Sequence, residues 1–329
     1  MKCVSKVLLW LAATAMATGA AAQTTSTGSG QAYPNRTIRV IIPAGAGDSC
    51  DVLSRLVGHK VSEKLGQQLA IDNRPGAGGQ LGLQMIAKAP PDGYTIGCGQ
   101  GGNMVIVPIA YKKVDYDTHK DFLPISLMAS NFLALVVHPS VPFKNVKELV
   151  TYARANPGKL SFGSTGEGAF LHFATELLRT KAGFTYLHVP YKTFPGVVTD
   201  LMGGRLDASL GSFVSIQPHV VSGRLRMLGI AKATRVPNYP DFPTIAESVP
   251  GYTSGGWFGF IAPAGTPKDI ITLLNREMNN AMKLPDVREK MTAYGLEIHT
   301  ESPEYFTDVI RRDFEVWGKV ARDIGFKQQ

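Results

Sequence analysis

A regular alternation of apolar and polar positions begins at residue 37. "TIRVIIP" (37–43) is a β-branched apolar run, and "DVLSRLVGHKVSEKL" (51–65) repeats apolar side chains at Leu53, Leu56, Val57, Val61 and Leu65. The first pattern suits a buried strand and the second a helix with one apolar face. "QLAIDN" (68–73) reads as a second strand, "GQLGLQMIAKA" (79–89) as a short helix stopped by Pro90 and Pro91, and "YTIGCG" (94–99) as a third strand. This order predicts a parallel α/β sheet with helices on its faces.

The middle of the chain repeats the theme. "FLALVVHP" (132–139), "LSFGST" (160–165), "YLHVPY" (186–191), "ASLGSF" (208–213) and "LRMLGIA" (225–231) are strand-like. Helices are predicted at 145–158 behind an Asn cap and at 167–183 ahead of a glycine. The last third holds two long helices. One starts at Thr266-Pro267, the other at Ser302-Pro303, with a stripe of Phe306, Val309, Ile310, Phe314, Trp317, Val320 and Ile324. Two α/β units and a returning helical tail predict two lobes. Ligands of such sheets gather beyond the carboxyl ends of the strands, where the glycine-rich turns fall.

The amino-terminal segment does not belong to this pattern. Lys2 and Lys6 precede an apolar run from Val7 to about Ala17, followed by Ala20 and Ala22. That is the form of a secretory signal peptide (residues 1–22), too short to span a membrane. A polar leader (residues 23–33) follows. Removing Lys2 and Lys6 lowers the net charge from +8 to +6. Basic residues are scattered and form no run, so nucleic acid is not an expected partner. Cys50 and Cys98 remain. The first sits at a strand–helix turn and the second at the end of a later strand, so they can either pair or stay as small thiols.

The stretch "IIPAGAGDSCDV" (41–52) joins a strand to a helix through a glycine-rich turn, and three chemistries use that arrangement. A phosphate loop needs Lys followed by Ser or Thr, but here Ser49-Cys50-Asp51 follows. "GCGQGG" (97–102) does match G-x-G-x-x-G, without a suitably placed acid for a ribose. A serine hydrolase reading starts from "GDS" (47–49) but needs a histidine base; His299 has no Asp three residues before it, while His172 and His188 stay open as bases. An anion site needs only free amides at a helix start. "AGAGDS" (44–49) and "STGEG" (164–168) both offer them, one from each lobe. Asp48 either caps the helix, with Asp51 three residues on, or meets a donor on the ligand.

Several blocks then match one family as they stand here: "NRPGAGG" (73–79), "APPDGYT" (89–95), "HVPYK" (188–192), "DLMGGRLD" (200–207), "SGRLRMLGIA" (222–231), "PDFPTIAE" (240–247) and "GWFGFIAPAGTP" (256–267). In order and spacing the chain resembles the Bug (TctC-like) solute-binding proteins of tripartite tricarboxylate transporters, from about residue 34 to 325. The resemblance implies a two-lobed periplasmic binding protein (Venus flytrap) fold with two mostly parallel sheets. Lobe 1 would be 34–131 and 254–329, and lobe 2 132–253. It implies a periplasmic monomer with no catalysis, cofactor or metal. The ligand would be a small carboxylic acid (a di- or tricarboxylate or an aromatic carboxylate), delivered to membrane permease subunits.

Carried over by position, the ligand residues would be Ala44, Gly45, Ala46, Gly47, Asp48 and Ser49; Gly99, Gly101 and Asn103; Ser164, Thr165, Gly166 and Gly168; and Tyr191, Lys192 and Ser212. Three departures from the family pattern stand out. Asp48 replaces a glycine, Cys50 a small hydroxyl, and Thr193-Phe194 a glycine-rich stretch. Phe194 near the cleft would favour an aromatic acid. The rival readings are a GDS-like serine esterase and a ligand-sensing lobe of a receptor.

Overall fold

The computed structural model describes residues 33–237 and 239–328. The expected signal peptide and the leader up to residue 32 lie outside the described residues. The chain first forms β1 (Ile38–Ile42), α1 (Ser49–Leu65), β2 (Leu69–Asn73), α2 (Gln80–Ala87) and β3 (Thr95–Gln100). A π turn at Gly102–Ile106 runs into α3 (Val107–Ala110), and β4 (Phe122–Ser130) follows. The second run is β5 (Leu133–Val137), α4 (Val146–Ala155), β6 (Ser161–Ser164), α5 (Phe170–Ala182), β7 (Leu187–Pro190), α6 (Phe194–Met202), β8 (Ala208–Ser212), α7 (Phe213–Val221) and β9 (Arg226–Ile230). The chain ends with β10 (Trp257–Pro263), α8 (Lys268–Met282), α9 (Pro285–Ala293), β11 (Glu297–Ile298) and α10 (Pro303–Asp323).

Two sheets result. The first has strand order β11-β4-β10-β3-β1-β2 and the second β7-β6-β8-β5-β9. The parallel part expected from the pattern is present: β1 pairs in parallel with β2 and β3, and β6 with β7 and β8. Both sheets are nevertheless mixed rather than mostly parallel. β10 runs antiparallel to β3 and β4, and β5 antiparallel to β8 and β9. The reason is that β4 and β10 join the first sheet by returning through it. β10 is buried at all seven positions, as a central strand must be.

Local chemistry accounts for the element ends. Asp48 caps α1 by accepting the Cys50 amide, and Gly66 closes it at φ 65°, the left-handed conformation that glycine adopts without strain. Asn145 caps α4 and Ser302 caps α10, each through its side chain. The helix expected from residue 167 begins later, at Phe170, because Gly166 and Gly168 both have positive φ.

Apolar faces tie the layers together. α1 lays Leu53, Val57 and Val61 on the first sheet, with α8 and α9 on the same side. A larger core runs from the other face of the first sheet through α10 into α5. There Trp257 meets Phe306 edge-on at 5.0 Å, and Phe170 meets Trp317 at 5.3 Å. Each fully buried side chain of this size contributes roughly 1.5–3 kcal/mol. The long stripe read on α10 therefore serves as the bond between the two sheets.

Candidate functional site

The chain passes between the sheets at Asn131. Its amide donates to the Gly256 carbonyl (2.9 Å), and its Oδ1 accepts the Gly256 amide (2.7 Å). This side-chain clasp fixes the two crossing strands against each other. Beside it lies a cavity of about 230 Å³. Gly47, Ser49, Val52 and Leu53 enter it from the start of α1, Ser212, Val214 and Ser215 from the β8–α7 turn, and Tyr294 and Leu296 from the approach to β11. Both sheets thus contribute to one hollow.

Two helix starts meet there. The first amides of a helix have no acceptor within it, and the helix end carries about half a positive charge. Asp48 accepts the Cys50 amide at 2.9 Å, and Asp51 accepts the Gly47 amide at 2.9 Å. Asp48 therefore caps α1, while Asp51 reaches back past the cap to Gly47. Burial raises the Asp48 carboxyl, partly offset by the Cys50 amide. Burial would raise Asp51 as well, but Arg55, Gly47 and Asn73 outweigh it and hold its carboxyl below the usual range. Cys50 and Cys98 form a disulfide, Cα atoms 6.1 Å apart, which pins the start of α1 to the neighbouring strand β3.

The sixteen expected ligand residues separate into groups. Gly47, Ser49 and Ser212 line the cavity, while Ala44, Gly45, Ala46 and Asp48 complete the same turn without lining it. Gly99 lies inside β3 and packs on Met104, as Gly97 packs on Ile86. The G-x-G-x-x-G match is therefore strand packing rather than a phosphate loop. Gly101 sits against the Trp257 indole, and buried Asn103 accepts the Gln100 amide at 3.1 Å.

The 164–168 turn is largely occupied with itself. Ser164 is 1% exposed; its hydroxyl meets Gly166 and lies 2.7 Å from His188 Nε2. The Gly168 amide donates to His172 Nδ1 at 3.1 Å. Two of its amides are thus already paired, and Thr165 stands in the same turn. Gly168 also packs against Phe326 and Ala110. Tyr191 donates to Asp200 at 2.8 Å, and Lys192 is exposed, with no ion pair among the described residues. Phe194 packs over Gly211 within the second sheet's core and is not among the residues lining the cavity.

Among the described residues, no serine, histidine and acid are joined as a hydrolase triad requires. Ser49 has no histidine partner among the described residues, and His299 is bonded to Ser130 at 2.9 Å. Ser164 does meet a histidine, but it is buried, and among the described residues the Nδ1 of His188 has no hydrogen-bonded acid. Sequence reasoning missed Asn131, Val52, Leu53, Val214, Ser215, Tyr294 and Leu296. Only Asn131 had a readable cue, its place where one strand series gives way to the next. Among the described residues no helix is long and apolar enough to cross a membrane.

Comparison with known proteins agrees with this architecture. A family described as "Tripartite tricarboxylate transporter family receptor" (TctC) matches residues 53–326. A UPF0065 protein in the tcbD-tcbE intergenic region of Pseudomonas sp. (strain P51) is 38% identical over 306 residues, covering 92% of this chain and 91% of that protein. The solved R. palustris Rpa4515 with adipate is 33% identical with a TM-score of 0.81, covering 90% of this chain and 100% of that one. MatC from Rhodopseudomonas palustris with bound malate is 28% identical with a TM-score of 0.75, covering 88% and 99%. With the fold, the two-sheet cleft and the match over most of its length in hand, this chain belongs to the tripartite tricarboxylate transporter receptor (TctC) family of periplasmic solute-binding proteins.

Proposed function

We propose that the protein captures a small carboxylic acid in the periplasm and hands it, unchanged, to the permease of a tripartite tricarboxylate transporter. The observation that carries this reading is the cavity between the first turns of α1 and α7, lined by Ser49 from one sheet's helix and by Ser212 and Ser215 from the other's. A hydrogen bond to a charged group contributes about 1.5–3 kcal/mol net, so three or four reach the roughly 8 kcal/mol of a micromolar complex before ordering costs. Relatives solved with adipate and malate support an acid as the ligand. The export-signal pattern of residues 1–22 supports the compartment. The lobes are proposed to part at the crossings near Asn131 and Gly256, giving lobe 1 as 34–131 with 254–329 and lobe 2 as 132–253.

A thermal-shift screen against mono-, di- and tricarboxylates tests the reading. A ligand at a hundred times its Kd adds about 2.7 kcal/mol of stability. Ser49→Ala is expected to weaken binding at most, and ester turnover that vanishes in that variant would favour an esterase.

A further inference from the structure

We infer that the acid held in this cavity bears one carboxylate on a small apolar body, either a short alkyl chain or a single ring. The inference rests on the carboxylate reading above and narrows it. The two parts of the lining are chemically unlike. Ser49, Ser212 and Ser215 supply hydroxyls and Asn131 a side-chain amide, with the serines at the starts of two helices. Val52, Leu53, Val214, Leu296 and Tyr294 supply carbon.

Helix geometry separates these parts. Val52 and Leu53 stand about one turn along α1 from Ser49, roughly 5 Å further along its axis. A second carboxylate a few bonds from the first along α1 would therefore reach Val52 and Leu53. None of the ten lining residues is Lys, Arg or His. Asp48 and Asp51, on either side of Ser49 and Cys50, are acids, and the guanidinium of Arg55 is taken up by Asp51. A carboxylate placed on the apolar wall would lose its hydration and find no counter-charge. A methylene chain or ring gains from the same contact. The volume suits a small acid, since about 230 Å³ lies below the roughly 300–1,000 Å³ of ordinary ligand pockets. Tyr294, 46% exposed, places an aromatic side chain in the same wall.

Titration calorimetry with acids matched in carbon skeleton tests this on the purified protein. The pairs are hexanoate with adipate and benzoate with terephthalate, with citrate added. The monocarboxylate of each pair is expected to bind at least tenfold more tightly than its partner. Leu296→Lys, which puts a cation into the apolar wall, is expected to shift that ratio at least tenfold toward the dicarboxylate. A dicarboxylate bound as tightly as its partner by the unaltered protein, or a ratio unmoved by Leu296→Lys in a folded variant, overturns the inference and leaves the carboxylate reading standing. If no acid of any kind binds, both fall together.

Discussion

His172 and His188 lie face to face, ring centroids 4.0 Å apart and planes within 2° of parallel, beneath the 164–168 turn. Each ring is tied to that turn. His172 accepts the Gly168 amide through Nδ1, and His188 meets the Ser164 hydroxyl through Nε2. A proton on His172 Nδ1 would set donor against donor, and a second charge on the stack would repel the first.

The pair therefore predicts an acid-sensitive fold. Burial, then the neighbouring His172, pushes His188 down to about 4. Burial also lowers His172, opposed by Glu176 and Glu167. Tyr186 and Arg179 both bond Glu176 rather than the rings. Between about pH 6.5 and 4 the unfolded chain binds more protons than the folded one, so stability is full above 6.5 and falls as the pH drops through this window. With the partial exposure of His188 discounted, the loss is about 1–2 kcal/mol. Urea unfolding at pH 7.5 and 4.5 should show a larger drop in the natural protein than in His188→Gln. Equal drops would count against the pair.

Asp313 predicts the opposite slope. Burial raises its carboxyl to about 6, with the Trp257 indole N–H and Arg312 pulling the other way. The indole donates to Oδ2 at 2.7 Å. A folded value above the unfolded ~3.9 gives stability that is present at low pH and is lost as the pH rises through about 6. Asp313→Asn keeps an acceptor for the indole and removes the charge. It should gain about 1–2 kcal/mol at pH 8 and little at pH 4 by thermal unfolding. A variant no more stable at pH 8 than the natural protein would refute this.

Gly295 faces the start of α7. It has φ 61°, and a Cβ there would stand 2.8 Å from Val214 Cγ2 and 3.3 Å from Phe213 Cδ1. Gly295→Ala should cost about 1–2 kcal/mol from the left-handed backbone alone. It should also weaken acid binding, because Val214 lines the cavity. Loss of stability with unchanged affinity would show that the contact is only structural.

Much of this arrangement was legible in the sequence because it rests on local rules. The periodicity of Leu53, Val57 and Val61 located α1, and the Ser302-Pro303 start located α10. The turn at 44–49 was legible from its glycines and the Asp48 cap. What was not legible depends on distant partners. β4 contains Pro124 and β10 is apolar throughout, so neither shows the alternation of a strand, and each becomes one by pairing with distant neighbours, β4 with β10 and β11 and β10 with β4 and β3. Short α6 and α7, the latter with Pro218 inside it, lack a helical pattern long enough to read. Consequently Ser215 and Val214 were invisible as site residues. The 164–168 turn had the right glycines, but its hydrogen bonds to His172 and within itself follow from a fold that the pattern does not encode.

The Cys50–Cys98 disulfide spans a sequence separation of 48. Closing a loop of that length contributes about 2–4 kcal/mol through the unfolded chain. Replacing both cysteines with alanine should lower the unfolding free energy by that amount and loosen the α1 turn, measured as faster amide exchange at 47–51. Unchanged exchange and stability would remove the disulfide from the account.

On the proposed reading, two helix starts, one from each sheet, share one carboxylate. A crystal structure with the tightest-binding acid measures this directly. Carboxylate oxygens are expected within about 2.7–3.2 Å of donors at Ser49 on α1 and at Ser212 to Ser215 at the start of α7. An acid held elsewhere, or held by one of these turns alone, would contradict it.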